Sequence, residues 1–100
     1  SDSTGFQLMQ NHPNPFNPET WIPYALGKTE GVVIQIYDAQ GALVRTLDLG
    51  LKGEGVYDSR DKAAYWDGTN ANGERVSSGV YYYRIEAGSF QQTRKMIILK

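Results

Sequence analysis

The sequence predicts an all-β fold, an immunoglobulin-like β-sandwich of about seven antiparallel strands. Apolar residues alternate with polar ones in short segments and do not recur with a helical period. Turn-forming sequences rich in glycine, asparagine and aspartate separate these segments. The 100 residues include 7 tyrosines and 11 glycines, a composition that suits aromatic strands joined by tight turns.

Each predicted strand is a short alternating or β-branched segment bounded by turn residues. The predicted strands are residues 6–8, 20–26, 32–37, 43–47, 63–67, 80–87 and 90–99. Val32, Ile34 and Ile36 are expected to face the core. Pro23 falls on the opposite face from its apolar neighbours, which is tolerated at an edge or a bulge. Residues 52–61 are polar and contain glycine, so we expect a surface connection there.

Three turn sequences connect these strands. Asp38-Ala39-Gln40-Gly41 and Asn70-Ala71-Asn72-Gly73 both begin with Asp or Asn and end with glycine, which is typical of hairpin turns. The two-residue link Gly88-Ser89 suits a primed turn between the last two strands. The flanking strands of the first two turns do not match, so we predict two similar turns and no sequence duplication.

The segment Asn11-His12-Pro13-Asn14-Pro15-Phe16-Asn17-Pro18 is expected to be rigid and irregular. Its prolines exclude helix and central strand, and each proline drives the preceding residue to an extended conformation. Asn14, Asn17 and Thr20 can hydrogen-bond nearby backbone groups and fix turns. We therefore predict a structural lead-in without chemistry of its own.

Composition and charge exclude several classes of function. A net charge of −1 creates no overall field that attracts nucleic acid or anionic lipid, so neither is an expected partner. The absence of cysteine excludes disulfides, thiol catalysis and thiolate metal sites. The sequence contains no run of about 18 apolar residues, so it predicts no membrane span. Residues 1–5 read as a linker or cloning remnant, and residues 6–100 as the domain.

The sequence carries no catalytic motif, so we expect no enzyme. The single histidine, His12, lies in the proline-rich lead-in, and no Gly-x-Ser-x-Gly sequence accompanies it. Asp58, Asp61 and Asp67 are close in sequence but flank a short strand. A domain of this size offers little room for the cleft that a pair of glycosidase carboxylates requires.

Oxygen-bearing side chains between Asp67 and Glu74 raise the alternative of a calcium site. Asp67, Asn70 and Asn72 are the candidate ligands, but their spacing departs from the EF-hand loop. Asp67 is more simply explained as a turn cap that accepts neighbouring N–H groups. The expected cofactor is therefore none, with calcium as the alternative.

Aromatic side chains raise the alternative of a carbohydrate-binding platform. Trp21, Trp66 and the cluster Tyr81–Tyr83 are the candidates. Alternation along the strand places Tyr81 and Tyr83 in the core and leaves Tyr82 as its surface aromatic. A carbohydrate-binding module therefore stays as a rival function.

Six motifs in order carry a family resemblance. They are Pro13-Asn14-Pro15-Phe16-Asn17-Pro18-x-Thr20, Ile22-x-Tyr24-x-Leu26, Val33 through Ile36-Tyr37-Asp38-x-x-Gly41-x-x-Val44-Arg45-Thr46-Leu47, Trp66-Asp67-Gly68-x-x-x-x-Gly73-x-x-Val76, Ser78-Gly79-Val80-Tyr81-Tyr82-Tyr83-Arg84 and Thr93-Arg94-Lys95-Met96. From Phe6 to Lys100 the chain resembles the C-terminal sorting domain of the type IX secretion system and the closely similar Ig-like domain of flagellar hook-capping proteins.

The resemblance implies a non-catalytic module at the C-terminus of an exported bacterial protein. The outer-membrane secretion machinery would recognise it, a parent catalytic domain would precede it on the same chain, and the product would pass the periplasm to become secreted or surface-attached. A structural Ig-like spacer or a hook-capping domain is the alternative. The residues assigned to the structural motif are Pro13, Asn14, Pro15, Phe16, Asn17, Pro18, Asp38, Gly41, Trp66, Asp67, Gly68 and Gly73. The residues assigned to recognition are Gly79, Arg84, Thr93, Arg94, Lys95, Met96, Ile97, Leu99 and Lys100.

The end of the last strand, Met96-Ile97-Ile98-Leu99, is apolar at consecutive positions. Such residues cannot all face one core, because successive side chains of a strand point to opposite faces. Either some are offered to the parent protein or a partner, for example by strand addition at an edge, or both faces are covered within the domain. The sequence leaves both possibilities open.

Overall fold

The computed structural model describes residues 4–15 and 19–99, and every regular element among them is a β-strand. The strands are β1 (Gln7–Leu8), β2 (Thr20–Ile22), β3 (Tyr24–Leu26), β4 (Glu30–Asp38), β5 (Leu43–Lys52), β6 (Gly55–Tyr57), β7 (Ala64–Trp66), β8 (Gly79–Ala87) and β9 (Phe90–Ile98). No helix in this part of the chain has the length and apolarity needed to cross a bilayer. Of the motif and recognition residues, Phe16, Asn17, Pro18 and Lys100 lie outside the described residues.

One of the two strands beyond the predicted seven arises at Pro23. The predicted strand 20–26 is divided there, so that β2 pairs with β7 while β3 lies between β1 and β6. Proline lacks an N–H group and cannot continue a ladder through its nitrogen. Its carbonyl still accepts the N–H of Met9 at 3.1 Å. Pro23 therefore marks the point where the chain passes from one small sheet to another.

The other additional strand is β6, and the prediction of a surface connection over residues 52–61 is wrong there. Tyr57 pairs with Tyr24 across the β3–β6 ladder, and their rings stack with centroids 4.9 Å apart. The turn signal of the surrounding glycines concealed this short edge strand. The aromatic ring of Tyr57, packed against the core, is what holds it in place.

The two layers of the sandwich enclose one core. The four-stranded sheet has the order β5-β4-β8-β9, and the sheets β1-β3-β6 and β2-β7 supply the opposite side. Val32, Ile34 and Ile36 are fully buried, as the alternation of β4 predicted. The other core residues are Leu8, Ile22, Tyr24, Leu26, Ala64, Trp66, Tyr81, Tyr83, Ile85, Ala87, Met96 and Ile98. The immunoglobulin-like β-sandwich is thus confirmed, with nine strands in the described residues instead of about seven.

The turn between β4 and β5 forms as predicted. The carboxylate of Asp38 accepts the N–H groups of Gln40 and Ala42, both at 2.9 Å. The N–H of Gly41 donates to the carbonyl of Asp38 at 3.0 Å, and Gly41 has a φ of 86°. An L side chain rarely adopts that backbone conformation, so glycine is needed at this position.

The hairpin between β8 and β9 is the predicted two-residue turn. Ala87 pairs with Phe90, which leaves Gly88 and Ser89 as the loop. Gly88 has a φ of 61°, the conformation that a primed turn requires at its first central residue. A Cβ atom at Gly88 would lie 2.7 Å from the carboxyl group of Glu30, which is the end of a flexible side chain, so the backbone conformation is the main reason for glycine here.

Candidate recognition surface

The lead-in runs alongside β9 and is bonded to its edge. The side-chain oxygen of Asn14 accepts the N–H of Ile97 at 2.9 Å, and the amide of Gln10 donates to the carbonyl of Lys95 at 2.9 Å. The prediction that Asn14 bonds nearby backbone is therefore wrong, since its partner is 83 residues away. We call the contact between residues 8–14 and β9 the seam.

A second part of the seam ties β1 to β9 through two side chains of β9. Arg94 donates from Nε to the carbonyl of Leu8 at 2.6 Å, and the Gln92 side-chain oxygen accepts the N–H of Leu8 at 3.1 Å. The sequence analysis assigned Arg94 to recognition. Its guanidinium group is engaged within the domain, where it donates one hydrogen bond to β1, and a role of Arg94 in recognition stays a prediction.

Behind the seam lies a buried polar cluster that sequence analysis did not find. Asn11 is 2% exposed, its N–H donates to the Tyr83 hydroxyl at 2.8 Å, and that hydroxyl donates to the Met9 carbonyl at 2.7 Å. The Asn11 amide also donates to Thr20 Oγ1 at 3.0 Å and to the Pro13 carbonyl at 3.1 Å. Burial raises the pKa of Tyr83 to about 12 because an ionised phenol would lose its water. The cluster fixes the path of the lead-in.

The predicted recognition residues divide between the two faces of the last hairpin. Met96 is fully buried, whereas Thr93 and Lys95 are exposed and Ile97 is partly exposed on the outer face of the four-stranded sheet. Arg84 lies on the same outer face and pairs with Glu86 at 3.5 Å. Gly79 begins β8, and Leu99 follows β9 with 55% of its surface exposed. Burial of Met96 and Ile98 accounts for half of the apolar run within the domain.

The Trp66-Asp67-Gly68 motif builds a structural corner. The indole N–H of Trp66 donates to the carbonyl of Thr69 at 2.8 Å. The Asp67 carboxylate accepts the Thr69 hydroxyl at 2.6 Å and its N–H at 3.1 Å, and Arg45 lies 3.5 Å away. The hydrogen bonds from Thr69 hold the pKa of Asp67 below its usual range, and Arg45 adds to this. Asp67 thus caps a turn, as predicted, and Gly68 has a φ of 79°.

The two amide side chains proposed as calcium ligands lie in the second turn. The side-chain oxygen of Asn70 accepts the N–H groups of Asn72 at 2.9 Å and Glu74 at 3.0 Å, and the N–H of Gly73 donates to the Asn70 carbonyl at 3.0 Å. This repeats the geometry of the Asp38 turn, so the predicted similarity is confirmed. Within the described residues no three His, Cys, Asp or Glu side chains gather into a metal-binding group. Calcium binding stays a prediction from the sequence.

Of the aromatic candidates, three are core residues. Trp66, Tyr81 and Tyr83 are buried, and Tyr82 is 38% exposed, as alternation predicted. Trp21 instead faces Tyr65 across the outer side of the β2–β7 ladder, with ring centroids 5.5 Å apart. The Arg60 guanidinium lies 4.4 Å from the centre of the Trp21 ring and covers it.

Tyr65 is the surface aromatic residue that sequence analysis missed. It is 46% exposed, and its hydroxyl donates to the Glu19 carboxylate at 2.6 Å, which raises the pKa of the Tyr65 phenol. Tyr65 lies on the outer side of the β2–β7 sheet and is not part of the last hairpin, which begins at Gly79. Alternation around Trp66 was the signal that could have found it.

Fold, turns and surface together define a small immunoglobulin-like β-sandwich. The chain belongs to the FlgD Ig-like domain family, whose match covers residues 20–90. A comparison with curated proteins finds no match.

Several solved structures have a similar fold, among them the following three. Dimeric latent PorU from Porphyromonas gingivalis matches with a TM-score of 0.71 and 25% identity over 92% of this chain. FLGD from P. aeruginosa matches with a TM-score of 0.58 and 21% identity over 75% of this chain. PorZ, described as an essential bacterial surface component of the type-IX secretion system of P. gingivalis, matches with a TM-score of 0.60 and 20% identity over 97% of this chain.

The chain corresponds to a part of each of these proteins. It spans 9% of the PorU chain, 55% of the FLGD chain and 12% of the PorZ chain. The matched region is therefore part of a longer chain in each of them.

Proposed function

We propose that this domain is a non-catalytic C-terminal module of an exported bacterial protein, recognised for transport across the outer membrane and for attachment at the cell surface. The observation that carries the proposal is the likeness to PorU over 92% of this chain, which occupies 9% of that longer protein. The six ordered motifs of the last hairpin, the turns and the lead-in agree with it. PorZ, a bacterial surface component of the type-IX secretion system, shares the fold at 20% identity.

The geometry accords with a role in recognition. The buried aromatic and polar groups of the described residues are committed to the core, the seam and the turns. The last hairpin presents its outer face to solvent, with Tyr82, Lys95 and Thr93 exposed. A partner can therefore bind this face without disturbing the core.

The test is export of a reporter. Residues 1–100 are fused behind a periplasmic reporter in a bacterium with a functional type IX secretion system. We expect the reporter at the cell surface or in the medium, and in the periplasm of an isogenic strain that lacks the secretion pore. Retention in the periplasm of the competent strain would contradict the proposal.

A flagellar hook-capping role is the second candidate, favoured by the family match over residues 20–90 and by the FLGD structure. It predicts that this domain can replace the Ig-like domain of P. aeruginosa FLGD with retention of motility. Loss of motility with normal accumulation of the chimaera would argue against this role.

Carbohydrate binding is a third possibility, located at Trp21 and Tyr65. The guanidinium of Arg60 covers the Trp21 ring and would have to move before a sugar could stack there. Titration of the domain with soluble glycans, followed by tryptophan fluorescence, tests it. The sorting function predicts no saturable change, and a saturable change lost in Trp21→Ala would favour carbohydrate binding.

A further inference from the structure

The edge of β9 is already occupied by the lead-in. Leu8, Gln10 and Asn14 contact Arg94, Lys95 and Ile97 in the same order, so the two segments run parallel. The carbonyl of Lys95 and the N–H of Ile97 flank Met96, and they are the pair that a parallel neighbouring strand would use. A partner strand at this edge would have to displace the seam and its buried Asn11 cluster. The accessible surface of the last hairpin is therefore its outer face.

The register of the four-stranded sheet arranges that outer face in rows. One row across all four strands consists of Leu43, Tyr37, Tyr82 and Lys95, and the row beside it pairs Val80 with Ile97. We call the apolar members of these two rows, Leu43, Tyr37, Tyr82, Val80 and Ile97, the tyrosine patch. Leu43 is 55% exposed and Val80 is 36% exposed. Contiguous exposed apolar groups of this kind mark interaction sites, whereas single ones do not.

The middle of the same face is mostly polar. The next row consists of Thr46, Gln35, Arg84 and Thr93, and the row after it consists of Asp48, Val33, Glu86 and Gln91. Beyond these rows, Leu51 pairs with Gly31 and is 76% exposed as a single apolar side chain. The contiguous apolar group, with members on all four strands, lies at the end of the sheet where β8 begins and β9 ends. There Leu43 also lines a cleft of about 400 Å³ with Val44, Val76 and Tyr81, and Asp38 and Asn70 are among its polar lining residues. Such a cleft can accept a side chain from a partner.

The position of the patch argues against a domain on the N-terminal side as its occupant. Thr4 lies beside Gly27, Glu30 and Ser89, at the opposite end of the four-stranded sheet. The nine residues of β8 separate the two ends by about 30 Å, given a rise of about 3.3 Å per residue. A domain joined before Thr4 would therefore attach far from the patch.

Charge argues against a second copy of the chain. Lys95 lies in the same row as Tyr82, so two patches packed face to face would bring like charges together. Carboxylates on a partner would instead pair with Lys95.

We propose that the tyrosine patch is a docking site for a separate protein whose surface presents aromatic or aliphatic side chains beside carboxylates. The inference rests on the proposed recognition role and supplies the surface for it. Tyrosine suits such a contact because its ring packs against apolar groups while its hydroxyl stays hydrogen-bonded. Tyr37 shows this arrangement, with its hydroxyl donating to Gln35 at 2.8 Å.

The first test measures binding directly and does not depend on export. The isotope-labelled chain is titrated with a capped peptide of alternating aspartate and phenylalanine while amide chemical shifts are recorded. We expect saturable shifts in the tyrosine patch, weakened about tenfold in Tyr82→Ser and unchanged in Tyr65→Ser, the matched exposed aromatic of the other layer. Absence of saturable shifts, or shifts centred on Trp21 and Tyr65, would overturn the proposal.

Further variants test two points, the contribution of the Lys95 charge and the alternative that the peptide binds the edge of β9. Lys95→Glu should weaken the peptide about fivefold, and the exposed control Lys62→Glu should leave affinity unchanged. The double variant Gln10→Ala with Asn14→Ala uncovers the β9 edge and should leave peptide affinity unchanged. If it strengthens binding and moves the shifts to the β9 edge, the docking site is the edge and the proposal fails.

The second test uses the reporter fusion. At unchanged melting temperature, Tyr82→Ser with Leu43→Ser should lower the exported fraction about tenfold, and the matched pair Tyr65→Ser with Leu51→Ser should not. Equal export of both pairs would refute the patch while leaving the sorting function intact. If even the unaltered fusion stays in the periplasm, the sorting function fails and the peptide titration alone decides the patch. A concentration-dependent dimer that Tyr82→Ser abolishes would make a second copy the occupant and overturn the proposal.

Discussion

Tyr82 and Tyr83 are consecutive residues of β8 with opposite surroundings. Tyr83 is fully buried and its hydroxyl holds the lead-in through Met9 and Asn11, whereas Tyr82 is 38% exposed on the outer face. One strand therefore contributes to stability with one set of side chains and is available for recognition with the other. The two functions can be altered separately because alternate residues do not share contacts.

The largest expected effect comes from truncating the two tyrosines in turn. Tyr83→Ala should lower the free energy of unfolding by about 4 kcal/mol, since it removes a buried ring and leaves Asn11 and Met9 without their partner. Tyr82→Ala should change it by about 0.5 kcal/mol. Urea denaturation measures both. Equal destabilisation by the two variants would show that the faces are not independent.

The next comparison is between the buried and the exposed asparagine of the lead-in. Asn11→Ala should cost about 2 kcal/mol because Thr20 and the Pro13 carbonyl lose a buried donor. Asn14→Ala should cost about 1 kcal/mol, since water can reach the Ile97 N–H. Thermal unfolding monitored by circular dichroism would give both values. A larger loss of unfolding free energy in Asn14→Ala than in Asn11→Ala would contradict this, because the exposed bond to Ile97 would then stabilise the seam more than the buried cluster does.

Alkaline pH should lower the free energy of unfolding through the buried tyrosines. Burial raises the pKa of both Tyr83 and Tyr24 to about 12, above the ordinary value of 10.0, with a further contribution from Tyr57 at Tyr24. Between pH 10 and pH 12 the phenol groups of Tyr24 and Tyr83 lose their protons in the unfolded chain and keep them in the folded chain. Stability is therefore complete below pH 10 and falls as pH rises toward 12, by up to about 1.4 kcal/mol per pH unit for each tyrosine.

Replacing Tyr83 by Phe removes one of these two contributions. Denaturation curves at several pH values between 10 and 12 should show a shallower decline for Tyr83→Phe than for the unaltered chain. Identical slopes would mean that the Tyr83 phenol titrates alike in both states.

The smallest effect expected is at the two similar turns. Gly41→Ala and Gly73→Ala should each cost about 1 kcal/mol, because φ values of 86° and 83° are strained for an L side chain. Gly31→Ala is the control, since that glycine has an ordinary φ and open space around its Cβ position. Differential scanning calorimetry would resolve the difference, and unequal costs at the two turns would contradict their similarity.

Local sequence signals predicted the parts of the fold that local interactions determine. Alternation in β4 and β8 identified the inward faces, and the Asp38 and Asn70 turns follow from side chains that bond the backbone two and four residues ahead. The failures are non-local. Asn14 and Arg94 find partners more than 80 residues away, and nothing near either residue in the sequence indicates that pairing.

The candidate site was predictable to a similar extent. Exposure of Tyr82 followed from alternation, but assembly of the tyrosine patch depends on the register of four strands and on the bulge opposite Ile36 and Tyr37 that brings Leu43 level with Tyr37. Register is set by the packing of the whole sheet, so the sequence around Leu43 could not by itself predict that Leu43 belongs to the tyrosine patch.

The parallel course of the seam also determines how the domain carries load. Residues 8–14 and β9 run side by side, and the described chain begins at one end of the sheet and ends near the other. Tension applied between Thr4 and Leu99 is directed along both segments, so it shears the four seam hydrogen bonds together and does not open them one after another. A domain anchored at one end and pulled at the other would therefore resist extension at the contact between its first and last segments.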